Sequence, residues 1–413
     1  MSRRFGFYAD RVVTCDPSRT DASNPTGAIT NAALVVDDGM VAYVGPRASA
    51  PEGTKYSDLG PELVTPGLVD AHTHAAWVGS RHAEYGIRMA GGDYRAIAAA
   101  GGGILSSHRA IAGTTLDGLV HTLTARLERM ASLGVTSVEV KSGYGLTPEL
   151  ELLQLRAIDR VRREPKVPHV VPTFLALHAI PEAARADRDA YVRGQVDLVE
   201  TVAREGLARF VDAYVDANAF TVDEARRLGL AARAHGLGVR LHVGQFADVG
   251  GVALAAELGA RSADHLEHLG PADATTLAAA GVHTVLLPTA SFTLGQAPPD
   301  VAALRRAGAR FVVASDANPG TAPTESLPLA MALAVRSYGL TPAETLIAAT
   351  RNAARSLELT DDTAPAAGML REGGRADFVV WDLPHEDALV QPWGTSRTER
   401  VFRDGRVIYK ARA

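Results

Sequence analysis

Residues 63–77 read LVTPGLVDAHTHAAW. An apolar run and a Pro-Gly pair lead into a strand, Gly67–His74, that ends on His72 and His74, one residue apart. Side chains at i and i+2 share one face of a strand, so both imidazoles point at a common centre. Thirteen histidines in 413 residues give about 0.4 such pairs by chance, so the pair does not settle its own meaning. What settles it is whether this strand is the first of a repeating series.

Downstream, the chain alternates. Short β-branched runs follow amphipathic stretches: VTSVEVKS, VVPTFLALH, FVDAYVDA, GVRLHVG, SADHLEH, VHTVLLPT and RFVVASDA. Between them lie helical segments such as residues 115–134, 147–164 and 221–236. Thr221-x-x-Glu224 and Thr341-x-x-Glu344 have the capping-box pattern, and Gly134 and Gly281 close helices before the next strand. Eight strands alternating with helices predict an α/β fold, a (β/α)8 TIM-type barrel, over residues 66–363. The rival doubly wound sheet lacks its glycine fingerprint after the first strand, and no phosphate loop occurs. The two chain ends differ from the middle. AALVVDDGMVAYVGP and RVFRDGRVIYKA each place Asp-Gly between apolar runs, a hairpin signal. Residues 1–65 and 364–413 are therefore expected to share a small β-sandwich domain. The loop TDDTAPAAG before the second part is turn-rich.

Hydrophobic residues make up 46% of the chain and charged ones 22%, which supports a large core. A net charge of −5 without charged blocks argues against nucleic acid or an anionic membrane as the main partner. The single cysteine, Cys15, excludes a disulfide framework or a thiolate metal cluster within the chain. The N-terminus has no apolar signal-peptide core, and no apolar stretch is long enough to cross a bilayer. A cytoplasmic location is expected.

Barrel active sites sit at the C-terminal ends of the strands. There the sequence places His72 and His74 on strand one, His178 on strand three, His242 and Gln245 on strand five, His265 on strand six and Asp316 on strand eight. His72, His74, His242 and Asp316 make a nitrogen-and-oxygen ligand set that suits one divalent ion, zinc or iron. Such an ion lowers the pKa of a water and polarises a substrate oxygen. Asp316 is the candidate base, with His265 beside it to orient the water or stabilise developing charge. Strand four carries no lysine to bridge two ions, and Lys141 reads as a structural or pocket-edge cation. His82, His108, His121, His169, His235, His268, His283 and His385 are assigned no role.

TPGLVDAHTH, the single histidines on strands five and six, and SDANPGT after strand eight resemble the amidohydrolase superfamily. Within it, AGGGILSSHRA, VEVKSGYGLTPELELLQLRAIDRV, PTFLALHAIP, GGVALAAELGARSADHLEHL, VLLPTASF and DANPGTAPTESLPLAMALA resemble the imidazolonepropionase family, from about Pro66 to about Leu357. The resemblance implies hydrolysis of the cyclic amide C–N bond of 4-imidazolone-5-propanoate to N-formimidoyl-L-glutamate, in histidine degradation. It implies that Arg81 holds the propionate carboxylate, a bidentate pairing that guanidinium suits. It further implies substrate contacts at Tyr144, His178, Gln245, Asn318, Gly320 and Thr321, with Gln245 reaching the ring, and a homodimer. This chain departs from the family at Val243-Gly244, where an acidic residue is usual. It also departs in the loops VDANAF and LLPTASFTLGQ. Two other readings stay open: a different mononuclear amidohydrolase, such as a deaminase or cyclic amidine hydrolase, and a non-catalytic barrel that binds a small molecule.

Overall fold

The structure, a computed structural model, describes residues 4–92, 97, 101–360 and 365–412. The expected boundary at 363/364 and residues 361–364 of the TDDTAPAAG loop lie outside the described residues.

Eight parallel strands pair in chain order. They are Leu68–Asp70, Val135–Lys141, His169–Leu177, Phe210–Val215, Gly238–Val243, Ser262–His265, His283–Leu286 and Arg310–Val313. Seven fall within the runs that the alternation predicts, and the third starts one residue before its run, at His169. The ring closes at its mouth, where Thr73 and Ala317 form a parallel bridge. There the His74 N–H donates to the Ala317 carbonyl at 3.0 Å, and the Asp316 N–H to the His72 carbonyl at 3.1 Å. The backbone that shuts the barrel therefore also carries His72, His74 and Asp316.

The outer helices form for local reasons that the sequence carries. Leu116–Ala131 starts at Thr115, whose hydroxyl accepts from the Gly118 N–H. Its buried residues Leu119, Leu123, Leu127 and Met130 recur at helical spacing and face the barrel. Each such leucine contributes roughly 1.5–3 kcal/mol by leaving water. Past the helix, Gly134 takes φ +95°, and a Cβ there would meet the Trp381 ring at 2.4 Å, so only glycine fits. Both capping boxes, Thr221 with Glu224 and Thr341 with Glu344, are formed in full.

The chain ends meet in one continuous eight-stranded mixed sheet. The N-terminal part contributes Phe5–Val13, Ala28–Asp37, Met40–Pro46, Tyr56–Asp58 and Leu63–Pro66; the C-terminal part contributes Phe378–Trp381, Thr398–Arg403 and Arg406–Lys410. The two parts join where Leu63–Pro66 runs antiparallel to Phe378–Trp381. Phe7, Leu34, Val64, Phe378 and Phe402 form this unit's own core. The Asp38-Gly39 and Asp404-Gly405 turns both take positive φ at both residues, as two-residue hairpins require. No helix among the described residues is long and apolar enough to cross a membrane.

Candidate metal centre

His72, His74 and His242 are buried, and their ring nitrogens lie within 4.8 Å of one another. Asp316 completes the group. Its Oδ1 stands 3.5 Å from His72 Nε2 and 3.4 Å from His74 Nε2, and His74 Nε2 is 3.3 Å from His242 Nε2. Ligand atoms on a tetrahedral ion with bonds of about 2.0–2.2 Å sit about 3.3–3.6 Å apart, so these separations are the edges of such a tetrahedron. His72 Nε2 and Asp316 Oδ1 are buried without a hydrogen-bond partner, which is costly unless they serve another acceptor of their lone pairs. The four residues expected as ligands thus converge, and their donor chemistry fits a divalent cation.

Two carboxylates fix the rings. His72 Nδ1 lies 2.6 Å from Asp264 Oδ2, and His242 Nδ1 lies 3.0 Å from Asp212 Oδ1. A carboxylate at Nδ1 holds the proton there and turns the Nε2 lone pair toward the centre. Burial, then the Lys141 charge, holds the His72 pKa well below its ordinary value; burial and His178 do the same for His74. Both are therefore in the neutral, ligating form. Below them runs a fully buried ionic layer. Lys141 Nζ bonds Glu139 Oε1 at 2.7 Å and Asp212 Oδ2 at 2.8 Å. Arg240 lies 3.6 Å from Asp264 and 3.7 Å from Glu139, and donates to the Ala71 and Ser356 carbonyls. Lys141 is thus a structural cation that holds Asp212 in place.

His265 stands beside the group: its ring is 5.5 Å from that of His242 and 6.0 Å from that of His72. Its Nδ1 faces Glu267 Oε2 at 3.6 Å. Burial lowers its pKa, but Glu267, Asp316 and Asp264 outweigh that and raise it. Positive φ values cluster here, at His265 (+84°), Leu266 (+72°) and Asp316 (+55°), the kind of backbone strain that concentrates at functional sites.

The residues implied as substrate contacts ring the same mouth. Tyr144 is buried, with its ring 6.0 Å from His74 and 5.4 Å from His178; the His74 and His178 rings are 5.2 Å apart. His178 Nδ1 pairs with the Gly143 carbonyl at 2.7 Å, and burial pulls its pKa down to about 3. Gln245 is buried and accepts from the Tyr214 hydroxyl at 2.9 Å. Asn318 uses its side chain within its own loop: Oδ1 accepts from the N–H groups of Gly320 and Thr321, and Nδ2 donates to the Asp316 carbonyl. Its amide shapes the loop beside Asp316 and is not left free. Arg81 packs against that loop. A Cβ on Gly320 would lie 2.5 Å from Arg81 Nη1. The guanidinium also bonds both oxygens of Glu84, at 2.6–2.9 Å.

Several functional groups have no place in the sequence reading. Glu151 and Gln154, on the helix Pro148–Val161, accept the four successive N–H groups of Gly143, Tyr144, Gly145 and Leu146. They fold the SGYGL turn that carries Tyr144; their i, i+3 spacing just after that turn was the available signal. The charged residues of VEVKS and VRLHV alternate with apolar ones, and that period of two marks an inward polar face. Asp264 gives no such signal beside His265. Gly244, one of the family departures, takes φ +65°, and a Cβ there would stand 2.8 Å from the His268 carbonyl. Glycine is what this turn requires, and the nearby acid is instead Glu267 on strand six's loop.

The sequence profile of the amidohydrolase family matches residues 63–408. The chain is 44% identical over 365 residues to an imidazolonepropionase of Deinococcus radiodurans, covering 88% of each chain. It is 38% identical over 406 residues to an imidazolonepropionase of Shewanella loihica, covering 97% of each. Among solved structures, the A. niger ochratoxinase superposes with a TM-score of 0.70 at 20% identity, over 99% of this chain and 96% of that one. An atrazine chlorohydrolase of Arthrobacter aurescens, solved with zinc, gives 0.70 at 15% identity, over 98% and 94%. These two likenesses speak to the fold.

Proposed function

The chain belongs to the amidohydrolase family, and from that premise we propose that it hydrolyses the cyclic amide C–N bond of 4-imidazolone-5-propanoate, giving N-formimidoyl-L-glutamate in histidine degradation. The observation that carries this reading is the convergence of His72, His74, His242 and Asp316 in a mouth that also holds the half-buried Arg81 guanidinium against the Gly320 loop.

Those four residues would hold one divalent ion, zinc or iron, which would supply Lewis-acid chemistry toward a water and the ring carbonyl. The reaction consumes one water; the ring C–N bond breaks and the carbonyl carbon becomes a carboxylate. Asp316 takes a proton from the water and delivers it to the departing ring nitrogen. His265, held by Glu267, stabilises the negative charge that develops on the carbonyl oxygen. Arg81 pairs with the propionate carboxylate, and Tyr144, its ring 6.0 Å from that of His74, fixes the tail relative to the ring. His178 and Gln245 face the ring, while Asn318, Gly320 and Thr321 form the wall behind it. Holding the tail so that the ring carbonyl meets the water is an entropic contribution to rate. The buried free Cys15 suits the reducing cytoplasm, and a homodimer is the assembly proposed from the family resemblance.

Adding the metal-loaded protein to imidazolonepropionate should speed the loss of substrate absorbance, with formimidoylglutamate as product. No loss above the spontaneous rate would overturn the substrate. Metal analysis then separates a different hydrolase, which retains an ion, from a small-molecule binder that retains none.

A further inference from the structure

A second group of ligand-type residues lies at the opposite end of the barrel. His169 opens strand three at its N-terminal end, Asp377 precedes the strand Phe378–Trp381, and Asp404 sits in the turn of the last hairpin. Their ring nitrogen and carboxylate oxygens lie within 4.8 Å of one another. His169 Nε2 is 3.2 Å from Asp404 Oδ2 and 3.6 Å from Asp377 Oδ2. These separations match the tetrahedral edge of about 3.3–3.6 Å that the barrel-mouth ligands also show.

Asp377 is only 2% exposed. Its Oδ1 is tied to the Asp404 N–H at 2.7 Å, which aims Oδ2 into the group, and Oδ2 has no hydrogen-bond partner. His169 Nε2 likewise has none. Two arginines also face Asp404: Arg375, and Arg403, whose Nε is 3.8 Å from Asp404 Oδ2 and whose Nη1 is anchored to the Glu164 and Val167 carbonyls. Asp404 stays partly exposed and lines a cavity of about 320 Å³ with Phe5, Pro165 and Arg406, so an ion can reach the group from solvent.

We propose that His169, Asp377 and Asp404 form a second divalent-cation site, for an ion such as zinc with water in the remaining position, that clamps the chain-end sheet to the bottom of the barrel. One imidazole and two carboxylates form a nitrogen-and-oxygen set that zinc accepts. The three ligands come from strand three of the barrel and two elements of the chain-end unit, so the ion bridges the two cores rather than serving catalysis.

The test counts zinc. The protein is stripped with chelator, equilibrated with Zn²⁺, desalted and analysed for zinc per chain, alongside His169→Gln and Asp404→Asn. Asp404 has φ +48°, which asparagine tolerates, so the second variant keeps the hairpin turn. The expected result is two ions in the parent and one in each variant, with turnover unchanged and a zinc-dependent rise in melting temperature that is larger in the parent than in either variant. Equal zinc content in all three proteins would reduce the group to a histidine–carboxylate ion pair and overturn the proposal. Retained turnover in the variants shows that a lost ion is not a lost fold.

Discussion

Gly320→Ala is the sharpest probe of how this site holds its substrate. Gly320 does not use the left-handed region, so alanine meets no backbone penalty there. The three atoms nearest its new Cβ all belong to Arg81: Nη1 at 2.5 Å, Cζ at 2.6 Å and Nη2 at 2.8 Å. Carbon contacts settle near 3.5–4.0 Å, so the guanidinium must retreat by about 1 Å. That retreat breaks the 2.6–2.9 Å bonds to Glu84 and carries the fork off the carboxylate it is proposed to bind. Hydrogen bonds to a charged group contribute about 1.5–3 kcal/mol, so KM for imidazolonepropionate should rise roughly 10- to 150-fold. The tail is held alike in ground and transition states, so kcat should fall much less. Steady-state kinetics followed by substrate absorbance measure this, and urea unfolding should show stability within about 1 kcal/mol of the parent. The decisive control is Arg81→Ala alone and combined with Gly320→Ala. If the glycine acts through Arg81, its effect vanishes once Arg81 is gone. An unchanged KM in Gly320→Ala, or an effect that persists on the Arg81→Ala background, refutes the reasoning.

Asp316→Asn should lower kcat by about a thousandfold or more, the scale of a lost proton carrier and ligand together, with the melting temperature little changed. Asp264→Asn should loosen His72 and weaken ion affinity about 10- to 100-fold, read by competition with a chromogenic chelator, while an unchanged affinity would detach Asp264 from the centre. His283 donates Nδ1–H to the Arg261 carbonyl and buries an unpartnered Nε2, and burial holds its pKa at about 4 against an ordinary 6.5. A depressed histidine gives stability that is whole above pH 6.5 and is lost as pH falls toward 4, here about 3 kcal/mol, so His283→Gln should show a correspondingly smaller drop in urea midpoint over that range. Burial pushes the Cys15 thiol up to about 11, so the native protein should resist iodoacetamide that labels it quantitatively once unfolded.

The barrel was legible because its signals are local. Each strand is a β-branched run, and each helix announces itself by a cap and a spacing, as at Thr115, Thr221 and Thr341. The convergence of the four candidate ligands was legible because a barrel puts strand ends in one place, which turns four distant positions into neighbours. What stayed hidden depends on side chains meeting across the barrel. Asp264 reaches His72 across 192 residues, and in a regular strand Asp264 and His265 would face opposite ways. The positive φ of His265 breaks that alternation and lets both serve the mouth. Arg81 with Glu84 was readable as an i, i+3 pair, yet its contact with Gly320 is tertiary and left no local trace. His169 read as an ordinary strand-start histidine because its partners lie more than 200 residues away in the chain-end hairpin and its approach.

The ionic layer under the centre explains why so many charges are buried there. Taking an ion out of water costs several kcal/mol, and a packed apolar layer would be the more stable filling. Glu139, Asp212, Lys141, Arg240 and Asp264 are nonetheless all fully buried. Their formal sum is three negative charges against two positive, or −1. Asp70 adds nothing while it keeps its proton, and burial pushes its carboxyl up to about 7. Asp212 stays ionised despite its burial because His242 and Lys141 hold its pKa well below the usual range. With Asp316 ionised as a proposed ligand, the sum becomes −2. A divalent cation in the mouth cancels that charge, whereas a neutral ligand there would leave it buried and unpaid. The layer therefore does two things that no apolar filling can: it fixes the tautomers of His72 and His242 through Asp264 and Asp212, and it sets the charge of the ion that the four proposed ligands would accept.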